Sequence, residues 1–488
     1  MKNICIVGGG TAGYITALIL KSRFNTKFNI TIIKSNKIGI IGVGEGSTEH
    51  WKEFLDFVNI SPIEIIKNCD ATLKSGVMFE NWSDAPFLHS VYYDLQNIRL
   101  GQTLIGYQDL IVNNCEQQEL NNIHIWKNNL EKFYINSNYT QNNITPVNQY
   151  HFNTFKLNEF LNKKCIERKI DVIDDEIENI FLNEKGEITE LKGTKNNYNF
   201  DFYIDSTGFK KLLISKLGGK WQSYKKYLKM KEAIAFPTED TENYNMYTVA
   251  KAMDYGWMFQ IPTYGRQGNG YIFDSDYINA EQAKTEIEKL LNKKIEIGKH
   301  IKFDPGCVDR PWINNCVAIG LSANFIEPLE ATSIGTSIQQ VFLLMHLLPN
   351  YDNKTIENYN YQIQKIMENI RDFIILHYIT KKENTIFWKD VKKIEIPNSL
   401  KNKLEKWKKR LPIREDFLNS NYLLFYEYNW VHILYGLGLI NIKEIKKNHN
   451  FINEFNLKSC KESVNSFKNS FNVKTIKHKE YLNYIRNL

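Results

Sequence analysis

Asn3-Ile4-Cys5-Ile6-Val7-Gly8-Gly9-Gly10-Thr11-Ala12-Gly13 is the stretch that decides the fold. A short apolar run, the mark of a buried strand, flows directly into a glycine-rich turn. In such a turn the first glycine permits the tight bend and the second lets backbone approach a pyrophosphate. The third allows helix and strand to pack closely. Gly8, Gly10 and Gly13 take these three places, and Thr11 and Ala12 begin a helix whose N–H groups point at the phosphates. A helical pattern from Tyr14 to Leu20 and a second strand, Ile30-Thr31-Ile32-Ile33, complete the opening unit of a dinucleotide-binding fold. The second strand ends in Lys34-Ser35 where a ribose-binding acid is usual, so the ribose must be met in another way, with Lys34 the residue at that place.

Two further glycine-bearing segments point to FAD rather than NAD. Gly42-Val43-Gly44-Glu45-Gly46-Ser47 is a second loop able to wrap a ribityl chain, with Gly44 and Glu45 as its expected contacts. Asp205-Ser206-Thr207-Gly208-Phe209 follows the apolar strand Phe202-Tyr203-Ile204. It predicts a second FAD contact, in which the Asp205 carboxylate holds ribose or ribitol hydroxyls and Gly208 lies beside them. Residues 171–208 read as a β-meander returning to the first sheet. From Asp352 onward, long Lys/Asn/Ile-rich segments carry helical periodicity.

Composition narrows the class. The chain has 488 residues, 43% hydrophobic and 13% aromatic, enough for a large core. Its net charge of +7 is spread along the whole length rather than gathered in a stripe, which argues against a nucleic-acid binder. Seven cysteines (Cys5, Cys69, Cys115, Cys165, Cys307, Cys316 and Cys460) are odd in number and lack a CxxC pair, so neither a disulfide framework nor a zinc site is expected. No apolar run reaches the roughly 18 residues needed to span a membrane, and the N-terminal residues do not read as a leader, so the expected location is the cytoplasm.

FAD binding does not name a reaction, but four segments resemble those of the flavin-dependent halogenases, in the branch of the tryptophan halogenases. Gly8–Tyr14 reads GGGTAGY and Gly42–Glu45 reads GVGE, both similar to the family's loops. Asn68-Cys69-Asp70-Ala71-Thr72-Leu73-Lys74-Ser75-Gly76-Val77 resembles the stretch with the family's catalytic lysine, which falls on Lys74. Phe325-Ile326-Glu327-Pro328-Leu329-Glu330-Ala331-Thr332 resembles its EPLEST block and places the catalytic glutamate at Glu330. Trp257-Met258-Phe259-Gln260-Ile261-Pro262 stands where the family has WxWxIP, with Phe259 replacing the second tryptophan. The resemblance spans residue 4 to about residue 390.

What the resemblance implies is specific. The fold is α/β: a glutathione-reductase-like, FAD-binding Rossmann-type domain with a substrate-binding sheet and helical part, and a mostly α-helical C-terminal region. Residues 1–390 would form the core with interleaved substrate-binding segments, and 391–488 the helical part. Reduced FAD and O₂ would convert halide into hypohalous acid, which travels to a separate aromatic substrate beside Lys74 and Glu330. Halide would lie against the backbone of Thr332 and Ser333, the latter where the family usually has glycine. Ile177, Leu321 and Ile334 fall where the family lays backbone against FAD. His89, with Phe87, matches the wall of the indole pocket, and Phe425 and Trp430 line an aromatic site or fill core. Arg371-Asp372-Phe373, His377-Tyr378 and Phe387-Trp388 read as helix packing. The expected partners are a separate flavin reductase, a halide ion and an aromatic small molecule, with no nucleic acid and no membrane, and with a homodimer as the open assembly. An FAD-dependent aromatic hydroxylase and a non-catalytic flavin-binding protein remain the alternatives.

Overall fold

The computed structural model describes residues 1–42, 45–90, 100–113, 132–134, 147–470 and 475–488. The quoted turn is the hub of a six-stranded sheet. Its order is Trp312–Ile313, Cys316–Ala318, Phe202–Asp205, Asn3–Val7, Asn29–Lys34, Asp171–Asp174, parallel except at the Trp312–Ile313 edge. A parallel sheet must be covered on both faces, so its strands read as unbroken apolar runs, and the alternation in Asn3–Val7 shows how. Ile4 and Ile6 enter the large core with the helix Thr11–Phe24, whereas Cys5 and Val7 enter a smaller one with Ile177, Ile188 and Leu191. The second cover is the antiparallel meander Ile177–Leu182, Ile188–Gly193, Asn197–Tyr198, in the region where the sequence predicts one.

The other large sheet has seven strands, in the order Lys299–Lys302, Glu232–Thr238, Arg266–Phe273, Gly256–Thr263, Thr248–Ala252, Val77–Glu80, Phe87–His89. The Trp257–Pro262 motif is therefore a strand near its middle. Between the two sheets lies a short antiparallel pair, Thr72–Lys74 with Gln149–His151, and Lys74 ends its first strand.

From Asn353 the chain is mostly helical, as its periodicity predicts. The long helix Asn353–His377 is capped by Asp352, whose carboxylate accepts the Thr355 N–H at 2.8 Å. The exception is a strand, Thr475–Lys477, paired with Lys132–Tyr134 and followed at once by the helix His478–Asn487. Phe373, Trp430, Tyr481 and Leu482 belong to the same packed core as Ile4 and Leu18. No helix among the described residues is long and apolar enough to cross a membrane.

Candidate active site

The glycine turn has the shape its sequence requires. A Cβ on Gly8, which has φ +122°, would come within 2.1 Å of the Ser206 carbonyl oxygen, and one on Gly13 within 2.1 Å of the Gly8 carbonyl oxygen. Those two glycines hold strand, helix and the Asp205–Phe209 loop together. Gly10 differs: a Cβ there would meet nothing within 4 Å. It is the N-cap of Thr11–Phe24, no side chain caps that helix, and no acid lies in its first turn. A helix N-terminus of this kind, opening onto free space beside Gly10, accommodates a diphosphate. Ser206 in the neighbouring loop has a buried hydroxyl with no partner among the described residues. The cradle and this unmet polar atom fit a flavin dinucleotide.

The other residues expected to meet FAD lie as follows. Thr11 and Ala12 lie in the first helical turn. Lys34 crosses the turn, its Cβ 2.6 Å from where a Cβ on Gly9 would stand. Gly208 adopts φ +68° with open space beside it. Leu321 lies in the single turn Gly320–Ser322, and Ile334 in the first turn of the helix Thr332–Leu347. Ile177 packs under the sheet with Val7 and Ile33. Gly44 lies outside the described residues, as does Val91, which borders the His89 segment.

Asp205 requires a correction. Its carboxylate does not face outward to ribose or ribitol hydroxyls. One oxygen accepts from the Thr207 N–H at 3.0 Å and the Thr207 hydroxyl at 2.7 Å; the other accepts from the Leu213 and Ile214 N–H groups at 2.8 and 2.9 Å. Four donors occupy the roughly four acceptor sites of a carboxylate. Asp205 thus caps the following helix, Leu212–Lys216, and shapes the loop from within. The Glu45 carboxylate is likewise engaged, by Arg266, while its carbonyl accepts the Phe152 N–H at 2.9 Å.

Segments far apart in sequence converge around Gly46. A Cβ there would lie 3.5 Å from Ala331 Cβ and 4.0 Å from Lys74 Nζ. Lys74 is 1% exposed, and its ammonium donates to the Ser47 carbonyl at 2.6 Å. Burial pulls the Lys74 ammonium down to about 8, against the attraction of Glu330 and Glu49, which resists the shift.

Glu330 is held by two histidines. His89 Nδ1 lies 2.9 Å and His377 Nε2 3.0 Å from the same oxygen, Oε1. The Asn429 amide oxygen accepts the Tyr426 N–H at 2.7 Å, which orients its NH₂ toward His89 Nε2 at 3.3 Å and leaves Nδ1 as the His89 donor. Burial alone would raise the Glu330 carboxyl, but the two histidines outweigh it and hold it at about 2. Among the described residues none bonds to the second oxygen, Oε2.

His89 is therefore buried, and its partners are side chains of the site. His377 and Tyr378, read from sequence as helix packing, belong here too. The Tyr378 hydroxyl donates to Glu327, and so does Trp257 Nε1, at 3.1 Å. Glu327 is fully buried, its Oε2 has no partner among the described residues, and burial pushes its carboxyl up to about 7 despite those two hydrogen bonds. Glu327 and Ser47 each stand inside a quoted motif that gives them no role of their own, and His377 reads from sequence as packing alone.

Thr332 and Ser333 begin the helix Thr332–Leu347, and no side chain caps it. The left-handed residue is Ala331, with φ 54°, so Ser333 stands in ordinary helical backbone and the absence of glycine costs nothing there. Phe87 stacks on Phe79 with centroids 5.0 Å apart and rests on Gly436. Phe425 and Trp430 turn out to fill core. Phe425 stacks on Phe373 at 3.9 Å, and fully buried Trp430 packs on Phe373, Trp407 and Phe417. They back the wall behind His89, which meets the Phe373 ring edge-on at 5.6 Å. Among the described residues there is no cluster of His, Cys, Asp and Glu able to hold a metal.

Comparison with known proteins agrees over nearly the whole chain. The sequence model of the tryptophan halogenase family matches residues 3–450. The chain is 30% identical over 469 residues to the 7-chloro-L-tryptophan 6-halogenase KtzR of Kutzneria sp. (strain 744), covering 89% of this chain and 90% of that protein. It is 30% identical over 475 residues to the tryptophan 6-halogenase SttH of Streptomyces toxytricini, covering 90% of each. Among solved structures it is similar to Tar14, a tryptophan C-6 flavin-dependent halogenase from taromycin biosynthesis, with a TM-score of 0.87, 27% identity and full coverage of both chains. The tryptophan halogenase of Shewanella frigidimarina NCIMB 400 matches at a TM-score of 0.87 and 26% identity, covering 100% of this chain and 98% of that one.

Proposed function

The chain belongs to the tryptophan halogenase family and is a flavin-dependent halogenase, and from that premise we propose that Lys74 and Glu330 carry out the transfer of halogen to an indole-type arene. The observation that supports this most is the convergence at Gly46, which puts the Lys74 ammonium, the Glu45–Ser47 loop and the Glu330–Ala331 turn within one contact shell.

The flavin would be FAD, with the Gly8–Gly13 turn and the Thr11 helix end receiving its diphosphate. Reduced FAD held there would supply the two electrons and two protons with which O₂, halide and one further proton become hypohalous acid and water. Halide rests against the uncapped N–H groups of Thr332 and Ser333, where the helix end favours an anion. Lys74 donates a hydrogen bond to the oxygen of hypohalous acid and makes its halogen electrophilic. The arene carbon attacks that halogen, a carbon–halogen bond forms, the oxygen–halogen bond breaks, and the oxygen takes a proton from the Lys74 ammonium and leaves as water. Glu330, held ionised, stabilises the positive charge on the ring and removes the ring proton through Oε2. Charges buried at this depth act in a low-dielectric site, where such stabilisation is largest. Phe259, buried Trp257 and the strand that carries them keep organic substrate apart from the flavin side.

His89 and Phe87 would border the arene, and tryptophan or another indole is the substrate class. The enzyme works in the cytosol with a separate flavin reductase, and the six described cysteines, all free thiols, suit a reducing compartment. The test is mass spectrometry of incubations with FAD, reductase, NADH, O₂ and panels of indoles and phenols, with and without chloride, bromide or iodide. A halogen isotope pattern that requires halide supports the reading. Hydroxylated product formed without halide would overturn it.

A further inference from the structure

The strand Thr72–Lys74 is short and, among the described residues, pairs with Gln149–His151 alone, although the next residue, Ser75, donates its N–H to the Met246 carbonyl at 2.7 Å. An edge strand of three residues is weakly fixed by its own ladder. Its other edge presents the Leu73 N–H, immediately before Lys74, and that N–H donates to His478 Nε2 at 3.0 Å. The two residues are 405 positions apart in the chain. His478 thus does for this strand what a neighbouring strand's carbonyl would do.

The imidazole is fixed on its other side as well. His478 Nδ1 lies 3.3 Å from the Tyr244 carbonyl oxygen, which can only accept, so Nδ1 carries the hydrogen and Nε2 the lone pair. The ring meets Tyr244 edge-on at 6.0 Å and is fully buried. Burial holds His478 down to about 4, so near neutral pH it keeps the lone pair that Leu73 needs.

The helix His478–Asn487 is itself anchored at several points around the site. Arg486 donates to the Ile66 carbonyl at 2.9 Å, just before the lysine-bearing stretch. Lys479 donates to Asp240 at 2.7 Å and to the Thr241 carbonyl at 2.9 Å, and the Tyr264 hydroxyl donates to Asn483 at 2.7 Å. Tyr481, Leu482 and Ile485 are buried in the main core. The match to the family model ends at residue 450, before this arm.

We propose that His478 is a positioning residue for Lys74: its neutral imidazole, locked between Leu73 N–H and Tyr244 C=O, sets the strand so that the Lys74 ammonium stays on the Ser47 carbonyl. The proposal rests on the role given to Lys74 above. His478 touches neither substrate nor flavin; it acts through one backbone hydrogen bond. Displacement of a reacting group by about 1 Å can lower a rate by about 100-fold, so the effect belongs in halogen transfer and not in halide oxidation.

The test compares His478→Leu, which removes the acceptor, His478→Gln, which keeps an acceptor at similar reach, Lys74→Ala and the Lys74→Ala/His478→Leu double variant. Each full-length protein is assayed with FAD, reductase and bromide for two outputs: bromination of indole, and bromination of a small diketone that traps free hypobromous acid. Thermal melting is measured for each. The expected result is that His478→Leu loses about 10- to 100-fold in indole bromination while trapping stays at the wild-type level, that His478→Gln recovers most of the loss, and that the double variant is no worse than Lys74→Ala. Wild-type indole bromination by His478→Leu would overturn the proposal while leaving the role of Lys74 intact. Equal loss in the leucine and glutamine variants with both still folded, or parallel loss of trapping and indole bromination, would also overturn it. Full activity in Lys74→Ala would overturn the role of Lys74 and this inference with it.

Discussion

Lys74 and Glu327 carry opposite charges into the same buried region, and burial moves each toward its neutral form. For Lys74 the folded value falls from 10.5 to about 8, because desolvation exceeds the attraction of Glu330 and Glu49. The ammonium is the working form in the proposed transfer step, so arene halogenation should decline as pH rises through about 8. A pH–rate profile of kcat checks this, and a flat profile between pH 7 and 10 would count against the ammonium. For Glu327 the sign is that of a carboxyl with its folded value raised from 4.5 to about 7. Between those pH values the unfolded chain has lost the proton while the folded one retains it, so wild-type stability falls as pH rises through that window and then levels. Glu327→Gln keeps an acceptor for Trp257 Nε1 and the Tyr378 hydroxyl and cannot ionise. Its stability relative to wild type should improve on going from pH 5 to pH 8, by on the order of 2–3 kcal/mol. Denaturant melts at the two pH values measure it.

At the scale of elements, the glycine turn separates fold from function. Gly8 and Gly13 are required by the protein itself, since a Cβ on either would strike backbone at 2.1 Å. Gly10 has φ −82° and open space around it, so the fold does not require glycine there. Gly10→Val should therefore melt within a degree or two of wild type yet bind FAD far more weakly, read by quenching of flavin fluorescence. Unchanged FAD affinity would mean that the diphosphate lies elsewhere. The strand–turn–helix was legible because its signals are local: apolar run, glycine spacing and helix start stand within a dozen residues. Asp205 was misread for the converse reason. Its partners Leu213 and Ile214 follow closely in sequence, but they become donors only once Lys211 turns left-handed, at φ 49°, and starts a helix that no motif announces.

For the whole molecule, the decisive contacts are long-range, and sequence order hides them. Glu330 meets His89 across 241 positions, and Leu73 meets His478 across 405. Lys74 and Glu330 could be paired from the resemblance, whereas His377, 47 positions from Glu330, looked like one more residue on an amphipathic helix. The continuity of the core gives a prediction at this scale. Trp312, in the edge strand of the first sheet, and Trp430, in the C-terminal helices, lie in the same packed core, together with Tyr481 near the end of the chain. Unfolding should be a single transition with coincident midpoints by tryptophan fluorescence and by circular dichroism. A separate early melting of the C-terminal helices would contradict that continuity. In the proposed function, halide oxidation and halogen transfer are separate events and Lys74 serves the second. This is tested most directly by giving Lys74→Ala and wild type reduced FAD, O₂, bromide, indole and a hypobromous acid trap, and weighing the products by mass spectrometry. Brominated trap is expected from both proteins and brominated indole from wild type alone; brominated indole from Lys74→Ala at the wild-type rate would contradict this role for Lys74.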